Sequence, residues 1–308
     1  MPQENATRGV VLTTWVGDNM ATAIDHDTEE LIAEARPTAV SLHAGPERLE
    51  PCVVKLADQV HKASSATEIH LGVGCDYWIE AAARGKITEE KAIERICVCI
   101  DLAKEVSACV IVLDAEAACK LNKAQSGRIL CEVVRRIRAA LPHVRIAITA
   151  YDQPGQHGKW PWDEVLGGES PAIDWFIAQT YIVIAPGKIA RGGLPVRTQK
   201  HRASWAAMVK QGRISPKVVV DAYLQAYSTP VTQLVTAGCE WNWIYFWCAP
   251  KLPRGRMDAN GTIALRASCE LERRGFRKPG GIREFQAASG LVVDGVVGEK
   301  TLGALGID

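Results

Sequence analysis

The sequence predicts an α/β fold: a (β/α)8 barrel of the TIM type followed by a small all-helical C-terminal domain. Three observations predict it. Eight short apolar runs of strand character recur along the first ~250 residues. Helical patterns lie between most of them, and that alternation builds parallel sheets. A Pro/Gly-rich basic stretch, Pro250-Lys-Leu-Pro-Arg-Gly255, then reads as a linker. An open doubly wound sheet would offer a glycine-rich phosphate turn after its first strand, and Thr13-Thr-Trp-Val-Gly17 is not one.

In chain order the strand runs are 9–15, 38–44, 68–75, 109–116, 145–152, 174–181, 217–225 and 243–249. Both parities are apolar in the fourth run, as expected of a strand covered on both faces. Helical patterns occupy 29–36, 46–63, 88–107, 123–141, 198–212 and, more weakly, 230–238. Thr88 and Pro46 are opening signals, and Gly212 is a natural stop. The expected division is a barrel over 1–252 and a C-terminal module over 256–308, in which 260–274 forms an amphipathic helix.

Composition narrows the function. A chain of 308 residues with 47% hydrophobic content can bury a large core, and a net charge of +1 gives no argument for nucleic acid as partner. Residues 1–7 are polar without a signal-peptide pattern, and no run approaches the roughly 18 apolar residues that span a bilayer. Synthesis in the cytoplasm, no membrane insertion and a monomeric state are expected. The ten cysteines lack paired Cys-x-x-Cys spacing and are expected to be reduced core thiols. No Gly-x-Ser-x-Gly elbow and no His-x-x-x-His or His-x-x-Glu-His pair appears, which argues against a serine hydrolase or a zinc amidase. No metal and no cofactor is expected.

Barrel active sites lie at the C-terminal ends of the strands. There the chain offers His43, Asp76, Asp114 with Glu116, Tyr151, Gln179, Tyr181, Asp221 and Trp247. Carboxylates and amides bind hydroxyls and aromatic faces stack on sugar rings, so the ring of residues suits a saccharide. His43, Asp76, Tyr151, Gln179, Asp221 and Trp247 are the expected substrate-binding groups. Two close carboxylates fit glycosidic cleavage, but strand spacing leaves retaining and inverting geometries both open. The loop 156–162, with Trp160 and Trp162, is a candidate cleft wall.

Asp114-Ala-Glu116, Ala178-Gln-Thr-Tyr181 and Tyr245-Phe-Trp-Cys248 resemble the catalytic faces of barrel lysozymes of glycoside hydrolase family 25 and of family 18 chitinase-like enzymes. The resemblance covers roughly 9–250 in layout. It implies Glu116 as general acid, Asp114 as the group orienting the substrate's N-acetyl function, and Tyr181 as its hydrogen-bond partner. The chain departs from family 25 at Thr13-Thr-Trp15, where an acid is usual, and Asp18 lies nearby as a substitute; family 18 has a longer aspartate series.

Phe285-Gln286, Gly290-Leu291, Asp294-Gly295, Val297-Gly298, Thr301 and Leu305 resemble the peptidoglycan-binding module of bacterial and phage wall hydrolases. The chain lacks the module's usual first Asp-Gly turn. Together the resemblances imply an endolysin-like muramidase that acts on the bacterial wall after release. The alternatives are an N-acetylglucosaminidase and a wall-binding protein with an inactive barrel.

Overall fold

Barrel strands are apolar on both faces because one face meets the helices and the other fills the barrel. The computed structural model describes residues 8–16, 26–44, 50–168, 173–180, 183–185, 188–189, 193–225, 229–247 and 259–307. Its strands are β1 (Gly9–Val16), β2 (Ala39–Ala44), β3 (Glu68–Gly74), β4 (Val110–Asp114), β5 (Arg145–Tyr151), β6 (Trp175–Thr180), β7 (Val183–Ala185), β8 (Lys188–Ile189), β9 (Val219–Gln225) and β10 (Trp243–Trp247). Eight of them close a parallel barrel in the order β1-β10-β9-β6-β5-β4-β3-β2. Each corresponds to one of the eight expected runs. The short β7–β8 antiparallel pair, which the sequence pattern did not announce, stands apart from the barrel.

Parity sorts the side chains. Val11, Ala39, Val110, Val112, Ala147, Ile177 and Tyr245 meet inside the barrel, whereas Val10, Leu12, Ile111, Leu113, Ile146 and Ile148 pack outward under the helices. Asp114 shares the inward parity of Val110 and Val112 and ends β4.

The helices are α1 (His26–Ala35), α2 (Glu50–Ala63), α3 (Asp76–Ala83), α4 (Glu89–Cys97), α5 (Cys99–Glu105), α6 (Lys123–Ala140), α7 (Trp162–Leu166), α8 (Gly193–Lys210), α9 (Val231–Cys239), α10 (Ala259–Arg273), α11 (Gly281–Ala288) and α12 (Glu299–Leu305). Thr88 caps α4 by accepting the Lys91 N–H. The single helix expected over 88–107 is two, α4 and α5. Val98 between them keeps helical angles (φ −54°, ψ −27°), so the apolar period runs through the break.

The expected division at 252–256 assigned α10 to the C-terminal module. Its packing is that of the barrel's eighth helix: it lies against α9, α1 and β1, and buries Leu265 and Leu271 there. The linker stretch itself lies outside the described residues.

Just beyond α10, the buried Arg277 guanidinium donates to the carbonyls of Gly238, Trp241 and Asn242 at 3.0, 2.9 and 2.5 Å and pairs with Glu272. A planar five-donor group suits this cluster of carbonyls ahead of β10. The module then folds around Gln286. Its amide nitrogen donates to Asp294 Oδ1 at 2.8 Å and the Val296 carbonyl at 3.0 Å, and its oxygen accepts the Gly295 N–H at 2.8 Å. Gly295 has φ +78°, the conformation its Asp-Gly turn requires. Phe285, Val297 and Leu305 are buried, and Thr232 on α9 donates to the Val297 carbonyl, so the module rests on the barrel.

At the opposite depth from the barrel mouth, His70 Nδ1 lies 3.0 Å from the Tyr245 hydroxyl and Arg145 covers the Trp175 ring at 4.4 Å. Asp221 belongs to this interior. It accepts the Trp243 N–H at 2.9 Å, and its other oxygen has no partner among the described residues. Burial pushes its pKa up to about 7. The folded state therefore binds a proton that the unfolded chain loses near 3.8, so stability falls as pH rises from about 4 to 7 and stays reduced above that. Asp221→Asn removes the penalty, which is on the order of 4 kcal/mol at full ionisation. The variant's thermal midpoint relative to the native protein should rise between pH 5 and pH 8. A constant difference across that range would contradict the assignment.

Candidate active site

The Asp114-Ala-Glu116 segment leaves β4 with its backbone held on every side. The Asp114 carbonyl accepts the Cys75 N–H at 2.8 Å, and the Ala115 N–H donates to the Thr149 carbonyl at 3.1 Å. The Ala115 carbonyl accepts the Trp160 indole N–H at 2.8 Å. Asp76 at the start of α3 accepts the N–H groups of Glu116 and Ala118 at 2.6 and 3.3 Å. Strand and loop groups thus fix the segment before any side chain is placed, which is the preorganisation that acid–base chemistry needs.

The two carboxylates meet at Gln179, next to last in β6. Its amide nitrogen donates to Glu116 Oε1 at 2.5 Å and lies 3.4 Å from Asp114 Oδ1. Burial raises the pKa of Asp114 well above the ordinary range, and the neighbouring Glu116 charge adds to this. Burial also raises Glu116, opposed by the Gln179 hydrogen bond. Asp76 is raised too, by burial, against the pull of the N–H groups it accepts. Three carboxylates in one partly dry pocket cannot all ionise, so the pair retains a proton into the pH range where free carboxylates have lost theirs.

Tyr151 ends β5 and its ring stacks on His157 at 4.0 Å between centroids. The Lys120 ammonium lies 3.5 Å over the Tyr151 ring and 2.9 Å from His157 Nδ1. Behind it, Asp152 is buried in an ion pair with Arg197, Nε to Oδ2 2.5 Å, and its carbonyl accepts from His201.

Of the nine expected site residues, the structure brings Asp114, Glu116 and Gln179 into contact and sets Tyr151 beside them. Asp76 has a different role from the substrate ligand expected, since its carboxylate is engaged by the loop that carries Glu116. Asp221 is not at the mouth: it sits four residues before the end of β9, two below the rung formed by Tyr151, Gln179 and Tyr223. His43 is buried at the end of β2, held neutral with its pKa lowered to about 4 by burial. Its ring covers Gly72, where a Cβ would lie 2.3 Å from it. Tyr181 lies outside the described residues, as do Asp18 and the side chain of Trp247.

Trp160 and Trp162, a candidate cleft wall, are fully buried; Trp160 is the post that holds Ala115. Sequence reasoning missed Lys120 and Arg197, and reached His157 only as part of the 156–162 loop. Lys120 falls only four residues after Glu116, a signal that was present, but His157 and Arg197 reach the site from remote loops and helices.

Comparison with known proteins sharpens the C-terminal part first. Residues 281–305 match the family described as "Putative peptidoglycan binding domain". No curated protein matches the chain. In structure, the chain is similar to a GH18 chitinase from Pseudoalteromonas aurantia, with TM-score 0.54 and 13% identity over 84% of this chain and 99% of that one. It is also similar to active domain 2 of a thermostable chitinase from Pyrococcus furiosus, with TM-score 0.55 and 12% identity over 88% and 97%. A GH18 chitinase from Cycas revoluta gives TM-score 0.55 and 11% identity over 84% and 99%. At such identities the likeness is one of barrel fold.

Proposed function

We propose that this protein is a peptidoglycan glycosidase of muramidase type, with Glu116 as general acid and Asp114 as its orienting partner. The observation that carries the reading is the buried Asp114–Glu116 pair, joined by Gln179 at the mouth of a closed barrel in a chain whose C-terminal segment matches a wall-binding family. Chitinases share the barrel fold, and their substrate, like the wall glycan, is a β-1,4-linked N-acetylated polymer.

Glu116 is the less buried of the two acids and reaches the cleft, so it protonates the leaving oxygen. Asp114, deeper and holding a proton more tightly, directs the N-acetyl group. One amide nitrogen within reach of both carboxylates places those oxygens within about 6 Å of each other. An inverting pair needs about 6.5 to 9.5 Å to admit its water, so the geometry favours the substrate-assisted route with retention.

The test is digestion of purified peptidoglycan by the full chain, with the soluble fragments identified by mass spectrometry. New reducing-end muramic acid is expected, initially in the β configuration by NMR. Reducing-end glucosamine would make the enzyme a glucosaminidase. No fragments at all would leave a wall-binding protein with an inactive barrel.

A further inference from the structure

The acid pair has a cation beside it that the Asp-Ala-Glu segment does not require. Lys120 ends the 3-10 turn (Ala118–Lys120) that follows Glu116. Its ammonium is held by two neutral groups, the His157 imidazole and the Tyr151 ring. Burial and the charge of Lys120 lower the His157 pKa, and burial pushes Tyr151 up to about 12, so neither partner carries a charge of its own near neutrality. Imidazole accepts the hydrogen bond and the π face receives the cation.

Among the described residues Lys120 forms no ion pair; partial burial lowers its pKa, while the charges of Glu116 and Asp76 favour its ammonium. A lysine kept in place by neutral partners is an ordered positive charge that remains available to a ligand. Its surroundings suit a saccharide carrying such a group. Leu121, the next residue, is 55% exposed, and Tyr77, next to Asp76 on the facing helix, is 52% exposed. Large apolar side chains left open on the two segments that carry Lys120 and Asp76 mark a contact surface.

We propose that Lys120 forms an anion-reading subsite, which binds a free carboxylate on the peptide substituent of the glycan and selects wall polymer over neutral N-acetylglucosamine polymer. This rests on the glycosidase reading above and names the feature of the substrate that the site recognises. A role confined to Glu116 is the competing account: Lys120 would then act equally on every substrate, through the proton affinity of the acid.

The experiment compares native protein, Lys120→Met and Lys120→Arg, all as the full chain, on two soluble substrates: peptide-bearing muramyl glycan fragments and chito-oligosaccharides of the same length. For Lys120→Met the KM on the anionic glycan should rise about tenfold, the loss typical of one charged hydrogen bond, with kcat within about twofold. The ratio of kcat/KM, anionic over neutral, should fall by the same factor, and Lys120→Arg should restore most of it. An equal loss on both glycans, or a displaced pH profile at constant KM, would overturn the subsite. If the native chain cleaves neither substrate, the glycosidase reading fails and the subsite is judged by calorimetry. Tenfold weaker binding of the anionic fragment to Lys120→Met then upholds it, and equal binding refutes it.

Discussion

Replacing Glu116 by Gln should cut peptidoglycan hydrolysis by about 10²- to 10⁴-fold, the usual contribution of a positioned general acid. The substitution is nearly isosteric and keeps an oxygen to accept the Gln179 hydrogen bond, so the fold and wall binding should persist. The loss should sit in kcat, because the proton is needed in the transition state and not for binding. Full activity in Glu116→Gln would remove this residue from its role.

The pH profile of the native protein carries the same assignment. In the proposed role Glu116 acts protonated, and burial holds its proton above the ordinary 4.5. Activity should therefore decline on the alkaline side, as pH rises through the upper titration of the coupled pair. Gln179→Leu removes the hydrogen bond that opposes this shift and should move that limb to higher pH, which initial rates measured from pH 4 to pH 9 would reveal.

The second large effect concerns where the chain can be cut. Deleting residues 256–308 should abolish cooperative folding, whereas ending the chain after Pro279 should leave a folded barrel with weakened wall binding. The reason is α10. Leu265 and Leu271 on this helix are fully buried, and each contributes about 1.5–3 kcal/mol by leaving water. Their sum, about 3–6 kcal/mol, already reaches the low end of a total domain stability of about 5–15 kcal/mol. Loss of Arg277 would further leave the carbonyls of Gly238, Trp241 and Asn242 without their donor. Thermal unfolding followed by circular dichroism separates the two truncated chains: a single sharp transition in the shorter one would show that α10 is dispensable.

Strand periodicity was readable because it is local. A barrel strand is short and mostly apolar because both of its faces are covered, and each of the eight runs shows that character without help from the rest of the chain. The Asp-x-Glu pair was readable for the same reason, since its position two residues apart at a strand end already aims both acids at the mouth. Thr88 and the Asp294-Gly295 turn likewise carry their signals within four residues.

Other assignments failed where the deciding contact came from afar. Asp221 looked like a strand-end ligand because its neighbours in sequence do not reveal how far β9 extends beyond it. The ladder with β6 and β10 decides that, and places it in the interior. Asp76 reads in sequence as a substrate ligand because its two N–H partners are 40 and 42 residues away. α10 looked like part of the module because an amphipathic helix shows which face is apolar and not what covers it.

The sequence by itself thus determined the barrel, the strand on which the acids stand and the likeness of the last residues to a peptidoglycan-binding family. These follow from periods, turns and motifs that nearest neighbours impose. Only the tertiary structure decided which side chains face Glu116, which acid holds its loop and where the barrel ends. Those depend on hydrogen bonds and packing between segments distant along the chain, which closure of the barrel brings into contact with one another.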